Sequence, residues 1–370
     1  MAANFDLSNL ALMAVCPGNE IKYDDKGMPS IMVKIPKLTL ADLGIAESSA
    51  VHPAFIVNGS EVDAIWISKY INIVQNSRAY SLPGQDPANN MTFDTARGYC
   101  ENKGAGWHMM TRMEWGMLLR WCQMNGVMPK GNNNYGKHVS ESVQKALPMT
   151  YGTGADAGKI FHTATGTGPL TWNHDQTPSG IADLVGNISE WHGGIRRYGP
   201  ELQILANNNG ADSSNSQAAN SAAWMAINGA ATSASDLYLT PNGSGTTSGS
   251  VKIKRSSSSA MQFTTDEQST SSNTTFQFKN LTCDATISDT AKQLLQSLGL
   301  VCVDADNDLY GTYEANFYVD AMAERLFHSG CYYGLPARGL SSFHSGNNLT
   351  RSNKNATIGF RSAFIQLPSA

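Results

Sequence analysis

Two short amphipathic helices lie close together in the first third of this 370-residue chain, and a folded core has to form around them. The first carries an apolar stripe at helical spacing, formed by Phe93, Ala96, Tyr99 and Cys100. The second begins at Thr111, a good N-cap, with Glu114 at the capping-box position, and it ends near Asn125. We predict that both helices pack their apolar faces into the core.

Short apolar runs elsewhere predict strands, and two further segments have helical patterns. Strands are expected at residues 31–35, 55–57, 64–70, 300–303 and 358–365. The pair Asn58-Gly59 is a turn signal and predicts a hairpin. The additional helices are expected at residues 7–15 and 288–298. At this length the chain forms either one elaborated domain or two domains.

Composition excludes several classes of protein. Charged residues make up 15% of the chain, the net charge is -4 and there is no basic stripe, so we expect no nucleic-acid partner. No run approaches the roughly 18 apolar residues of a membrane span, and the first 20 residues lack the features of a signal peptide. We therefore expect no membrane insertion, and a location on a virion or otherwise in the cytoplasm. The six cysteines show no CxxC spacing and are expected to be reduced and mostly buried.

The segment from Leu326 to Thr350 has an unusual composition. It contains no acidic residue, no lysine and one arginine, Arg338, but six aromatic or histidine side chains interleaved with Ser, Gly and Asn. Rigid aromatic groups with adaptable small polar residues are typical of recognition surfaces of the antibody kind. The alternative is an ordinary surface loop rich in Ser, Gly and Asn.

The other motifs do not predict a phosphate site, a metal site or a catalytic site. The GxxxxGK pattern at residues 131–137 is followed by His138 rather than Ser or Thr, so we interpret it as a structural loop. Residues 304–308 begin like a calcium-binding loop, but Leu309 and Ala315 occupy positions that need Gly and Glu, and a polar turn is favoured over a weak calcium site. The histidines have no metal-ligand spacing, and no nucleophile motif is present. We predict no catalytic residue, no metal and no cofactor.

Three pieces in order carry a resemblance to a known family. Residues 92–104 with 110–115 (TFDTARGYCENKG, MTRMEW) resemble two helices of the formylglycine-generating-enzyme family. Residues 183–191 (DLVGNISEW) look like that family's D-M-x-G-N-V-W-E-W motif, and residues 358–361 (IGFR) are similar to its closing G-F-R. The resemblance implies an α+β class and a C-type-lectin-like fold of the formylglycine-generating-enzyme subtype. On this basis residues 1–53 form an N-terminal arm, 54–204 and 288–370 form the two parts of the domain, and 205–287 form a Ser/Thr/Asn-rich insertion, partly β-structured and partly flexible.

Residues 347–361 (NNLTRSNKNATIGFR) resemble the end of the variable region in the variable proteins of diversity-generating retroelements. Those proteins use this fold as a scaffold for hypervariable ligand binding, and many are receptor-binding phage tail adhesins. The resemblance implies a variable region at residues 326–358 and a solvent-exposed ligand surface on an invariant framework that includes Arg351 and Arg361. The residues predicted to contact the ligand are Phe327, His328, Tyr332, Tyr333, Leu335, Arg338, Ser341, Phe343, His344, Ser345, Asn347, Asn348, Leu349 and Asn353.

The expected partner is a protein or glycan on a host surface, with other virion tail proteins and a second copy of the chain as further candidates. An oxidase of the formylglycine-generating type is the alternative from the same family. It is disfavoured because a copper-binding thiolate pair is missing: no cysteine follows Cys331. A structural virion component is the remaining alternative.

Overall fold

The structure is a computed structural model that describes residues 6–267, 272–304, 311–319, 323–345 and 349–367. Within these ranges it contains four α-helices: α1 Leu7–Val15, α2 Phe93–Glu101, α3 Arg112–Met124 and α4 Asp289–Ser297. Its strands are β1 Asn19–Tyr23, β2 Pro29–Pro36, β3 Ile56–Val57, β4 Ser60–Glu61, β5 Ala64–Ser68, β6 Ile73–Gln75, β7 Arg78–Tyr80, β8 Trp107–Met109, β9 Pro148–Tyr151, β10 Ile160–Thr163, β11 Ser189–Tyr198, β12 Glu201–Leu205, β13 Trp224–Ile227, β14 Tyr238–Leu239, β15 Lys252–Ser257, β16 Ala260–Thr264, β17 Ser272–Gln277, β18 Leu281–Cys283, β19 Glu314–Val319, β20 Glu324–Ser329, β21 Phe343–Ser345, β22 Ile358–Phe360 and β23 Ser362–Ile365. The protein is therefore of the mixed α+β class, as predicted.

The helix predictions are confirmed, and so is the predicted capping box at Thr111 and Glu114. Thr92 caps α2, and Thr111 with Glu114 forms a complete capping box at the start of α3. Ser288 caps α4 through the backbone N–H of Ala291. These signals act within three residues along the chain, so they do not depend on distant contacts.

Two larger sheets organise the molecule. The first has five strands in the order β1-β2-β5-β23-β8, all antiparallel, so the C-terminal strand β23 lies between β5 and β8. The second has twelve strands, with β11 and β20 near its middle and parallel pairs at β11–β22, β16–β18 and β19–β21. Between β3 and β4, Asn58 and Gly59 both have positive φ, which confirms the predicted hairpin turn.

Residues 205–287 contribute directly to the second sheet. Strands β13 to β18 come from this segment, and β15 pairs with β12 while β17 pairs with β19. Side chains such as Val251, Phe263 and Phe278 are fully buried in the same hydrophobic cluster as Trp115 of α3. The described part of the segment thus shares the main core.

One strand prediction is wrong and another is divided. Residues 300–303 do not form a strand. The backbone N–H of Leu300 bonds to the carbonyl of Leu295 at the end of α4, so it is not available for strand pairing, although the Leu300 side chain is fully buried. An apolar run indicates burial and does not by itself specify a strand. The predicted strand at 358–365 is two strands, β22 and β23, which belong to different sheets. Of the turn at residues 304–308, only Asp304 lies within the described residues.

A buried ion pair joins the two sheets between β22 and β23. Arg361 donates from Nε and Nη2 to the two carboxylate oxygens of Glu190, at 3.0 and 2.8 Å. Its remaining hydrogen bonds go to the carbonyls of Ser68 and Ala182. Because both side chains are fully buried and their bonding groups are satisfied, the pair fixes the C-terminal strands against β11.

Candidate ligand-binding cavity

Strands β20 and β21 place the predicted binding residues on two opposite faces of the sheet. They pair with His328 opposite His344 and Ser329 opposite Phe343. Successive side chains of a strand alternate between faces, so each histidine points away from the phenylalanine that precedes it. Phe327 and Phe343 are fully buried in the main core, and the ring centroid of Phe343 lies 5.2 Å from that of Phe317. The expectation that these two phenylalanines are solvent-exposed ligand contacts is wrong.

On the other face, six of the predicted residues line one cavity of about 230 Å³. These are His328, Tyr332, Leu335, Arg338, His344 and Leu349. The cavity is also lined by residues that the sequence reasoning missed: Ser189, Asn355, Thr357 and Ile358. The sequence predicted an open, solvent-exposed surface, but the structure shows a concave site. Several of the lining side chains, such as His328 and His344, are mostly buried.

A repeated tetrapeptide could have revealed this arrangement. Residues 327–330 and 343–346 both read Phe-His-Ser-Gly. Because β20 and β21 run antiparallel with His328 opposite His344, the two histidines share one face of the sheet and the two phenylalanines the other. Ser189 and Thr357 carry no such signal, because they join the cavity only when β22 pairs with the start of β11.

The two histidines form a stacked pair beside the only arginine of the segment. Their ring centroids are 4.7 Å apart and the planes differ by 6°. Arg338 donates from Nη1 to Nε2 of His344, so neutral His344 carries its proton on Nδ1. Arg338 Nε also faces Glu314 Oε2 at 3.4 Å, a long contact to a side chain that is 41% exposed.

The ring of His328 is held by aromatic contacts alone. Both of its nitrogens are buried without a hydrogen-bond partner among the described residues, and Trp191 packs edge-on against the ring at 5.6 Å. Burial lowers the pKa of His328 to about 3, and the positive charge of Arg338 acts in the same direction. Burial, followed by the neighbouring His328 and Arg338, lowers the pKa of His344 well below its usual value. At neutral pH both imidazoles are therefore uncharged.

The adjacent residues Tyr332 and Tyr333 have different positions, and only Tyr332 lines the cavity. Tyr332 is half-buried, and its ring lies 5.3 Å from that of Tyr333 at 73°. Tyr333 does not line the cavity but stacks on Phe161, with centroids 4.3 Å apart and planes 12° apart. Its backbone carbonyl accepts from Tyr135 N–H at 2.8 Å. Tyr333 therefore packs against Tyr332, and it is itself mostly buried and not accessible to a ligand.

The loop that carries Tyr332 is held by the motif at residues 183–191. The N–H of Gly186 bonds to the carbonyl of Gly330 at 2.6 Å, and Tyr333 N–H bonds to the carbonyl of Asn187. Asn187, at φ 65°, is itself fixed by side-chain hydrogen bonds of 2.8 Å to the N–H and carbonyl of Thr163. A substituent on Gly186 would lie 2.3 Å from the backbone of Asn132, which explains the glycine at this position.

Helix α3 fixes the same segment from inside the core. Arg112 is fully buried and donates from Nη1 to Ser329 Oγ at 2.6 Å, while its guanidinium lies over the ring of Phe343. Trp115 Nε1 donates to the carbonyl of Leu340 at 3.2 Å. The cavity wall is therefore anchored by a helix far away in the chain.

Two of the remaining predicted residues, Ser341 and Asn353, do not line the cavity. Ser341 is fully buried, and Asn353 accepts from the N–H and hydroxyl of Thr350 in a local turn. Ser345 ends β21, and its side chain lies outside the description. Asn347 and Asn348 lie outside the described residues. The prediction that Ser341 contacts the ligand is therefore wrong, because its side chain is buried inside the loop.

The thiol nearest the cavity is buried. Cys331 donates from Sγ to the carbonyl of Arg338 at 3.3 Å, and burial raises its pKa to about 12. All six cysteines are free thiols, four of them buried. Across the described ranges, no group of three or more His, Cys, Asp or Glu side chains is placed to hold a metal ion.

The fold and cavity define a mixed α+β protein with a small, largely uncharged pocket on a rigid frame. A comparison of the chain with models of known protein families finds no match, and a search of curated proteins finds no significant similarity. In the described part of the chain, no helix is long and apolar enough to cross a membrane.

Proposed function

We propose that this chain is a ligand-binding protein that displays a variable surface on a C-type-lectin-like scaffold, as in the variable proteins of diversity-generating retroelements. Its ligand is a protein or glycan on a host surface, and it acts as a phage tail adhesin. The scaffold proposal is supported by the two capped helices α2 and α3 and the antiparallel sheet that β23 completes. The motif at residues 183–191 supports it further, because it holds the loop that carries Tyr332.

One observation carries the binding proposal. Six residues predicted from the variable segment, spread over 22 positions from His328 to Leu349, converge on a single cavity. The neighbouring Phe327 and Phe343 are anchored in the core. Such a division lets the partly exposed lining residues Tyr332, Leu335 and Leu349 change with less effect on the fold than the core phenylalanines, because substitutions cost most at buried positions.

Cell binding by cavity variants tests this function. We expect Tyr332→Ala combined with Leu335→Ala to abolish adhesion of the labelled protein to host cells, because buried anchors supply most of the energy of an interface. The melting temperature should fall modestly, because both side chains are partly exposed but Leu335 also packs against the main core, and circular dichroism should show a folded variant at the assay temperature. Tyr151→Ala is the matched control, since Tyr151 is 54% exposed and does not line the cavity. Unchanged adhesion of the double variant would disprove the assignment of the cavity as the binding site.

The catalytic alternative has less support at this site. An oxidase of the formylglycine-generating type needs reactive thiolates, and burial keeps the Cys331 thiol protonated at neutral pH. Oxygen consumption with a thiol substrate and added copper would support the alternative that the chain is an oxidase.

Helix α1 supports the expectation of a further protein partner. It exposes four large apolar side chains, Leu7, Leu10, Met13 and Val15, and none of its residues is buried. The helix also carries no charge, so neither a second copy of the chain nor another tail protein would be repelled. We propose that α1, at the start of the predicted arm of residues 1–53, mediates this attachment. Residues 19–36 of that predicted arm supply β1 and β2 of the five-stranded sheet. Leu7→Lys with Val15→Lys should then lower the assembly mass measured by light scattering, without affecting adhesion by the cavity.

A further inference from the structure

The charge of the cavity lining is one-sided. Of the ten described residues that line it, Arg338 alone is charged at neutral pH, and none of the ten is acidic. Glu314 does not line the cavity and meets the guanidinium only at 3.4 Å, from a partly exposed position where ion pairs are weak. An anion entering the cavity would meet a positive charge that the protein compensates incompletely.

Two hydrogen-bonding groups at this place have no protein partner. His328 is 5% exposed, and neither ring nitrogen is hydrogen-bonded to a described residue. Arg338 bonds through Nε and Nη1, while its Nη2 makes no hydrogen bond within the described part of the chain. An unsatisfied buried polar group costs about 1–3 kcal/mol. A ligand that supplies partners to the buried nitrogens of His328 would remove that cost, and an anionic group on the same ligand would bind Nη2 of Arg338.

The unpaired groups specify the chemistry of such a ligand. A guanidinium donates and cannot accept, so it calls for an anionic acceptor such as a carboxylate. A neutral imidazole has one donor and one acceptor nitrogen, so the ligand must also offer a hydroxyl that can donate. Leu335, Leu349 and Ile358 add an apolar wall that suits the C–H groups of a ring.

We propose that the cavity binds an acidic monosaccharide of a host-surface glycan, with its carboxylate on Arg338 and a ring hydroxyl on His328. This inference rests on the proposed function and names the class of ligand. At about 230 Å³ the cavity is smaller than the roughly 300–1,000 Å³ of sites for drug-sized ligands, so it accepts one sugar ring. An acidic peptide is less suitable, because a glutamate side chain carries no hydrogen-bond donor of its own beside the carboxylate, whereas a sugar acid carries hydroxyls on the same ring.

Paired sugars that differ at one carbon test the proposal. Dissociation constants would be measured by ligand-observed NMR for D-glucuronate against D-glucose and for D-galacturonate against D-galactose. Within each pair the ring is the same, and only the carboxylate replaces a hydroxymethyl group. We expect at least one uronate to bind about ten-fold or more tightly than its neutral partner, a difference of about 1.4 kcal/mol. N-acetylglutamate and inorganic phosphate serve as probes for an acidic peptide and for an adventitious ion only.

Variants locate the effect in the cavity. Arg338→Gln should remove the preference for the uronate, whereas Arg255→Gln, at an exposed arginine outside the lining, should leave it intact. Because loss of Arg338 could disturb the loop, His328→Phe provides a second variant that retains an aromatic ring against Trp191 and removes both nitrogens. We expect it to fold at least as stably and to bind the uronate several-fold more weakly.

Three results would overturn the proposal: equal binding of uronate and neutral sugar, N-acetylglutamate or phosphate binding as tightly as the uronate, or a preference that survives both cavity variants. Host-cell adhesion lost in the Tyr332 and Leu335 double variant, combined with no uronate preference, would refute the sugar-acid ligand and leave the proposed function standing.

Discussion

Acid should destabilise this protein well above the range in which carboxylates titrate. All eight histidines are buried, and burial lowers the pKa of five of them strongly: to about 3 for His52 and His328, to about 4 for His174, and well below the usual value for His192 and His344. In the unfolded chain the same groups take up protons near pH 6.5. Since the unfolded state then binds more protons than the folded state, the free energy of unfolding falls as the pH drops from 6.5 towards these lower values.

The size of this effect follows from the linkage relation. Between pH 7.5 and 5.5, a histidine that stays neutral when folded and has a pKa of 6.5 when unfolded loses about 1.4 kcal/mol of stabilisation. The five residues together therefore lose about 7 kcal/mol.

Two groups act in the opposite direction. Burial raises the pKa of Asp183 to about 6, so its protonation relieves a cost as the pH falls through 6. At His108 burial opposes the charge, but the carboxylate of Glu114, 2.8 Å away, outweighs burial and raises the pKa. His108 therefore contributes stability that is present below pH 6.5 and lost as the pH rises through its folded pKa. Asp183 offsets about 1 kcal/mol and His108 offsets a further part, so a net loss of several kcal/mol remains, comparable with the whole stability of many domains.

Urea unfolding followed by tryptophan fluorescence at pH 7.5 and 5.5 measures this loss. His192→Phe should reduce it by about 1.4 kcal/mol, because His192 is fully buried, packs against Trp115 with ring centroids 4.8 Å apart and has no hydrogen bond from its ring to any described residue. His108→Gln should enlarge it, because that histidine has the opposite sign. A loss under about 1 kcal/mol in the parent would contradict the reasoning, since it would mean that these imidazoles carry protons inside the folded protein.

Three further substitutions test the frame of the cavity by urea unfolding. Arg361→Met should cost about 3–5 kcal/mol, because Glu190 is left as a buried charge without its partner; a loss under 1 kcal/mol would show that water reaches the carboxylate. Gly116→Ala should destabilise by about 1–3 kcal/mol, since the new carbon would lie 2.1 Å from the carbonyl oxygen of Ser297; Gly98→Ala, in open space on α2, is the control and should stabilise by up to about 1 kcal/mol. Phe343→Ala should cost about 3–5 kcal/mol, because the ring is fully buried in the core. A loss no larger than that of a surface residue would show that the ring is exposed and available to a ligand.

The candidate site was only partly predictable from the sequence. Composition located the segment, because a run without acids or lysines but rich in aromatic and small polar residues is distinctive. It did not separate Phe327 from His328, since adjacent residues share the composition and differ only in the face of the strand to which they belong. It also missed Ser189, which lies more than a hundred positions away and joins the cavity through the pairing of β11 with β22.

The sequence by itself determined the helices and the tight turn. Thr92, Thr111 with Glu114, and Ser288 cap helices, and Asn58-Gly59 forms the hairpin, because each signal acts between residues at most a few positions apart. Tertiary structure decided which side chains reach the cavity and how residues 205–287 enter the second sheet. Strand order and the buried face of each strand depend on pairing between distant segments, and an apolar or aromatic residue has the same local pattern whether it faces the core or a ligand.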